Sequence, residues 1–386
     1  MKPVFRIVKL QDKDRNFYPY LVRDGVPLVL PSLWAAEICA PLNTMEAYLR
    51  DVQIVYEWSV SKNFILENSI SNLAGFSQKK LESLAKALCS SRTGDPARQA
   101  TCIRRKQSIS LYLTFALNFF IGNRRLSLTE QAQAQKNATA IVSRLKKHMN
   151  KASNDSAAFR PSTDLTDSEI GVIEMIFDPA SLHNPFEEIS IRWRNYCMFK
   201  IFLATLARRS EIVLLEIDDI DCGPTPTIKI KLPSNANKGK RKDGASLKTR
   251  TREVPITHEL AKQIHTYITT YRSKFLPAKL ASTSLFLSHK DGRRLFSNSL
   301  NSIMKKVEIK AQSLGFNNRL HPHGLRTTAA NQLRTKLLKD ANVSKIEAEE
   351  IISYMGGWAE GSEQVRKYTR RTMSEILGKL LRAERN

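Results

Sequence analysis

Three short segments in the C-terminal half concentrate side chains suited to phosphate chemistry: Thr205-Leu206-Ala207-Arg208-Arg209-Ser210-Glu211, His321-Pro322-His323-Gly324-Leu325-Arg326-Thr327 and Tyr354-Met355-Gly356-Gly357-Trp358. Tyr368 follows ten residues after Trp358. Attack on a phosphodiester gathers negative charge on two nonbridging oxygens. Planar guanidinium groups bind such oxygens bidentately and stay charged, which makes Arg208 and Arg326 the candidates for that grip. In a water-excluded site one such donor is worth roughly 10²- to 10³-fold in rate, so a pair can supply much of what a metal ion would. His323 stands three residues before Arg326, a spacing that turns both toward one phosphate if a helix starts there. A near-neutral imidazole can accept the proton of an attacking phenol, whose ordinary pKa of about 10 leaves little phenolate at neutral pH. His321 competes locally, but its place before Pro322 reads as loop.

Tyr368 is the candidate nucleophile, set among cations in Val365-Arg366-Lys367-Tyr368-Thr369-Arg370-Arg371 that favour phenolate and draw a polyanion close. Its rival, Tyr354, is flanked by apolar residues. Trp358 offers an indole N–H donor to the phosphate, or serves as a packing residue. Protonating a departing 5′ oxygen calls for a general acid, and Lys248 in Leu247-Lys248-Thr249-Arg250-Thr251-Arg252 is the candidate, with Lys238, Lys240 and Lys242 nearby. Those three lysines, with Arg209, Arg241, Arg250 and Arg252, are expected to contact the nucleic-acid backbone. A phosphotyrosine conserves the energy of the broken bond, so a second hydroxyl can reseal the strand without ATP. Gly239 to Ser246 lacks the Lys-Ser ending of a nucleotide loop, and Glu216, Asp218, Asp219 and Asp221 crowd one junction rather than forming a two-metal site. No cofactor and no metal are expected.

The elements that must position these residues are mainly helical. The first thirty residues alternate apolar and polar around Asp24-Gly25, with Phe17 to Val22 followed by Val26 to Leu30, which predicts a β-hairpin. From Asn43 the period becomes helical: Asn43 and Glu46 form a capping-box pattern, and Tyr48, Val52, Val55, Tyr56 and Ser59 share a face. Further helices are predicted around Lys79 to Cys89, Ile103 to Ile121 and Thr129 to Met149. The polar, small-residue stretch from His148 to Leu165 reads as a linker. Thr166 and Glu169 then form a second capping box, a helix runs about Trp193 to Ala207, and Ile228-Ile230-Leu232 pairs with the return strand Arg252 to Ile256. Met373, Ile376, Leu377, Leu380 and Leu381 recur at helical spacing and predict an amphipathic tail. The domains are therefore drawn at 1–34 (hairpin extension), 35–150 (helical), 151–165 (linker) and 166–386 (catalytic).

Composition agrees. The 386 residues suit two cores, and the formal charge of +24 makes a polyanion, nucleic acid first, the expected partner. Five scattered cysteines argue against disulfides or zinc, and neither a secretory leader nor a membrane span is read from the chain. A cytoplasmic, nucleoid-associated protein is expected.

In order and rough separation the three segments and the C-terminal tyrosine resemble the tyrosine recombinase, or phage integrase, family: T-G-L-R-x-x-E-L-L-x-L, H-x-L-R, then L-G-H or the Cre-like G-G-W ahead of the tyrosine. The likeness spans roughly residues 160 to 386, and the helical part before it matches the family's core-binding domain in type. Leu206 stands where the family usually has glycine, and the interval from Trp358 to Tyr368 is one residue longer than the common pattern. The resemblance implies an α+β fold, mainly α with a small sheet, whose two domains form a C-shaped clamp around DNA. It implies a site-specific recombinase or integrase of mobile elements working through a 3′-phosphotyrosine. The catalytic set it implies is Arg208, Lys248, His323, Arg326, Trp358 and Tyr368. Partners so implied are double-stranded DNA sites, a homo-tetramer over two sites formed from a free monomer, a tail docked on a neighbouring subunit where it does not pack on its own domain, and accessory recombinases or directionality factors. A catalytically inactive DNA-binding architectural protein and a type IB topoisomerase are the alternatives.

Overall fold

The computed structural model describes residues 3–72, 76–91, 93–153, 164–233, 241–247, 249–277, 281–340, 342–359 and 361–369. The chain divides into two compact units, residues 1–160 with 239–244 and residues 161–238 with 245–386.

In the first unit β1 (Phe5–Gln11) and β2 (Phe17–Arg23) form an antiparallel ladder from Phe5↔Arg23 to Gln11↔Phe17. Asp24-Gly25 does turn the chain, both residues at positive φ, but into a strand β3 of two residues, Val26–Pro27. The main partner of β2 is thus β1, because the chain from Val29 onward is already helix α1 (Val29–Ile38). The hairpin is no separate appendage: Phe5 and Leu21 enter one core with Trp34, Leu49, Val52 and Tyr112. That core is built by α2 (Leu42–Ser61), α3 (Leu66–Ser71), α4 (Gln78–Leu88), α5 (Gln99–Gly122) and α6 (Leu128–Ser153). Val52, Val55, Tyr56 and Ser59 are buried along one side of α2, as its period predicts. The Asn43–Glu46 capping box does not form. Pro41 caps the helix without a side-chain bond, Glu46 pairs with Lys9 at 2.6 Å and Arg50 at 2.7 Å, and Asn43 donates to the Gly244 carbonyl.

The second unit opens with α7 (Asp167–Phe177), whose Thr166–Glu169 capping box is complete. Then come α8 (Ile189–Thr205), the short α9 (Arg209–Leu214) and an antiparallel sheet in the order β4 (Ile220–Asp221), β5 (Thr227–Ile230), β6 (Arg252–Pro255). Pairing of Ile228 with Val254 puts both on the buried face, while Lys229 stays on the other, the alternation expected of a half-buried sheet. Helices α10 (His258–Thr266), α11 (Ser297–Gln312), α12 (Pro322–Leu337), α13 (Lys345–Gly356) and α14 (Gln364–Tyr368) complete it. Its main core gathers Ile173, Phe177, Phe199, Phe202 and Phe286. A smaller cluster of Leu206, Ala329, Ala330, Ile352, Trp358, Val365 and Tyr368 lies beside it. Among the described residues no helix is long and apolar enough to cross a membrane.

Candidate active site

Helix α12 carries two of the expected residues, and its start is fixed locally. His321 is the N-cap: its Nδ1 accepts the Gly324 N–H at 2.9 Å, and Pro322 takes a first-turn position that needs no N–H partner. One turn on, Arg326 is 1% exposed and donates to the Leu206 carbonyl and, at 2.8 Å, to the Gly356 carbonyl. Its guanidinium lies 4.8 Å from the Trp358 ring and 5.3 Å from the Tyr368 ring. Burial, then the nearby Arg208 charge, lowers its pKa to about 10, so it remains a cation at neutral pH. Arg326 Nε and Trp358 Nε1 are buried donors without an acceptor among the described residues.

The Gly-Gly-Trp segment builds the other wall. A Cβ on Gly356 would fall 2.5 Å from the Trp358 ring, and Gly357 ends α13 at φ 62° with Thr249 packed where its Cβ would be. The two glycines therefore let the indole fold back over its own backbone. Trp358 and Tyr368 pack at 4.9 Å between ring centroids. The Tyr368 hydroxyl lies 3.3 Å from His323 Nδ1. For that nitrogen to accept, the imidazole carries its proton on Nε2. His323 keeps an exposed edge, yet desolvation of its inner edge, then the charges of His321, Arg326 and Arg208, hold its pKa below the ordinary value. The imidazole is therefore neutral and available as a base at pH 7. The acid limb of any reaction in which it takes the Tyr368 proton is expected below the ordinary histidine value of about 6.5, since protonation is delayed to lower pH. A pH–rate profile whose limb lies at or above 6.5, or is unmoved in His323→Gln, would remove His323 from that role.

Glu211 organises the remaining side. Burial pushes its carboxyl up, but Arg252 at 2.8 Å and bonds from the Arg208 N–H and Thr249 hydroxyl hold it below the usual range. Arg208 approaches the same carboxylate with Nη1 at 3.4 Å while its side chain stays 28% exposed. Arg252, expected from the sequence to contact nucleic acid, is corrected here. Its side chain is 1% exposed, paired with Glu211 and bonded to the Met355 carbonyl, because its β6 position puts it on the inward face. Arg252→Met is accordingly expected to destabilise this unit by about 3–5 kcal/mol, the cost of stranding a buried carboxylate. Urea denaturation measures it; an unchanged midpoint with a shallower salt dependence of DNA binding would restore the contact role.

Of the other expected contacts, Arg209 and Arg250 are exposed, Lys242 is exposed, and Arg241 is drawn back onto Asp243 at 2.9 Å. Lys248, Lys238, Lys240 and the tail from Met373 to Leu381 lie outside the described residues. Tyr354 is committed elsewhere, its hydroxyl donating to the Glu253 carbonyl at 2.8 Å. Glu216 accepts from Arg294 and Thr283, and Asp219 accepts the Glu216 N–H, so this acidic stretch braces the fold. Sequence reasoning assigned no role to Glu211, Thr249, Asn331 or Arg334. Asn331 donates to the Tyr368 carbonyl at 3.0 Å and Arg334 to the Thr369 hydroxyl, tethering the tyrosine to α12. For Arg334 the signal was the helical period of α12, which brings it back into line with His323 eleven residues earlier; Asn331 carried no such signal.

A mainly helical unit with a small antiparallel sheet, gathering two arginines, a histidine and a tyrosine, defines the class of the tyrosine-type DNA strand-exchange enzymes. Residues 180–375 match the model of the phage integrase family, and the chain belongs to that family. It is a site-specific DNA recombinase by class. Among solved structures it is similar to the Tn1549 transposon integrase in complex with transposon right end DNA, at 16% identity over 91% of this chain and 100% of that one, TM-score 0.54. Two others are a lambda integrase dimer bound to a core site (10% identity, 86% and 89% covered, TM-score 0.46) and the XerH site-specific recombinase on its difH substrate (18%, 78% and 84%, TM-score 0.43). The comparison with curated proteins returned no match.

Proposed function

We propose that this enzyme breaks and rejoins double-stranded DNA through a covalent 3′-phosphotyrosine at Tyr368. The observation that carries the reading is the convergence of the Tyr368 hydroxyl on His323 Nδ1 at 3.3 Å beside a buried, charged Arg326 that still has an unpartnered N–H. Phosphate oxygens would supply the acceptors for Arg326 Nε and Trp358 Nε1, with Arg208 reaching in from its exposed side. The Tyr368 oxygen attacks phosphorus, its proton passes to His323, and the 5′ oxygen leaves with a proton from Lys248. In the reverse step a 5′ hydroxyl attacks the phosphotyrosine and the protons return. Residues 35–150 are read as the core-binding domain and 166–386 as the catalytic domain. Arg209, Lys242 and Arg250, with Lys238 and Lys240, contact the DNA backbone. The reading extends to four copies on two sites, assembled from monomers with accessory factors in the cytoplasm, by analogy with the family.

The test incubates the full chain with sheared, lightly nicked genomic DNA of its own cell, denatures in SDS and sequences DNA that stays on the protein. A protein-linked, recurrent sequence with a free 5′ hydroxyl is expected. DNA binding with no SDS-stable adduct would replace the enzyme with an architectural protein, and adducts at random sequence would favour a topoisomerase.

A further inference from the structure

Leu206 closes α8 with φ 49° and ψ 27°, the left-handed region that leucine rarely occupies, and it does so with its side chain fully buried. Glycine would take this backbone without strain. A buried leucine held there must be fixed by its surroundings, and such strain concentrates where geometry matters. Two observations say which geometry. The Leu206 side chain belongs to the small cluster of Trp358, Val365, Tyr368, Ile352, Ala329 and Ala330, apart from the main core of its unit. Its own carbonyl, aimed by the left-handed turn, accepts from Arg326 Nη1. One residue thus bears on both groups: its carbonyl accepts from the guanidinium, and its side chain packs in the cluster that includes the tyrosine and indole rings lying 5.3 and 4.8 Å from that guanidinium.

We infer that Leu206 is a positioning residue that holds the Tyr368 ring in register with Arg326, and that the strained turn is retained because a glycine there would leave the ring unsupported. This rests on Tyr368 being the nucleophile. In single-turnover cleavage of a duplex carrying the mapped site with a nick beside the scissile phosphate, Leu206→Gly and Leu206→Ala are expected to slow formation of the covalent adduct about tenfold. DNA affinity should stay within about twofold. Leu206→Met, which keeps the volume and the fold, is expected to lose about threefold. A merely structural leucine would change the melting temperature and leave the adduct rate of folded protein untouched. Wild-type adduct rates in whichever of the three variants fold would overturn the inference, as would a loss of rate matched by an equal loss of DNA affinity. Tyr368→Phe is run in parallel. An adduct surviving in that variant would show that the nucleophile assignment has failed; its loss there, with wild-type rates at position 206, would show that the positioning claim alone has failed.

Discussion

Tyr368→Phe abolishes the SDS-stable protein–DNA adduct while leaving DNA affinity and folding close to wild type; this is the largest effect expected of any single substitution here. The reason is that the ring and the hydroxyl have separable duties. The ring, 9% exposed, packs at 4.9 Å from Trp358 and 5.3 Å from the Arg326 guanidinium, and phenylalanine keeps those contacts. The hydroxyl faces only a histidine nitrogen at 3.3 Å among the described residues, and its removal costs about one modest hydrogen bond, on the order of 1 kcal/mol. The chemistry loses its nucleophile entirely. Tyr354→Phe should keep the adduct, since that hydroxyl is spent on the Glu253 carbonyl. Mapping the DNA-linked peptide settles the matter: an adduct on Tyr354, or one persisting in Tyr368→Phe, would move the nucleophile.

The second large effect is expected at Arg326. Arg326→Lys loses the planar fork that reaches the Leu206 and Gly356 carbonyls with its two terminal nitrogens and leaves Nε without an acceptor among the described residues. An ammonium cannot serve two carbonyls and a phosphate in those directions. Adduct formation should fall about 10²- to 10³-fold, the value of one preorganised donor to a developing oxyanion. Quench-flow measurement at saturating DNA separates this from weaker binding. A fall below about threefold would leave Arg326 as a structural pin of two loops. Burial lowers the pKa of the arginine itself to about 10, so the native side chain is a cation at neutral pH.

Much of this was legible from residue order. Residue chemistry, motif order and the family resemblance singled out Arg208, His323, Arg326, Trp358 and Tyr368, and all five lie in one unit. Thr166 and Glu169 read as a capping box and form one, whereas His321 before Pro322 reads as loop and is instead the N-cap of α12. Signals that depend on distant partners were not legible. Glu46 looked like a capping residue, but Lys9 and Arg50 take its carboxylate. Arg252 looked like one more cation of a basic hairpin, and only the register of β6 shows that alternation turns it inward to Glu211. The strand after Asp24-Gly25 was overestimated because apolar alternation cannot distinguish a short strand from the first turn of α1.

The tether of Tyr368 to α12 has a consequence of its own. Asn331 holds the Tyr368 carbonyl and Arg334 the Thr369 hydroxyl, and both sit on the helix that also bears His323 and Arg326. On the proposed reading, nucleophile, base and anion grip are therefore held together by one helix as a single cassette.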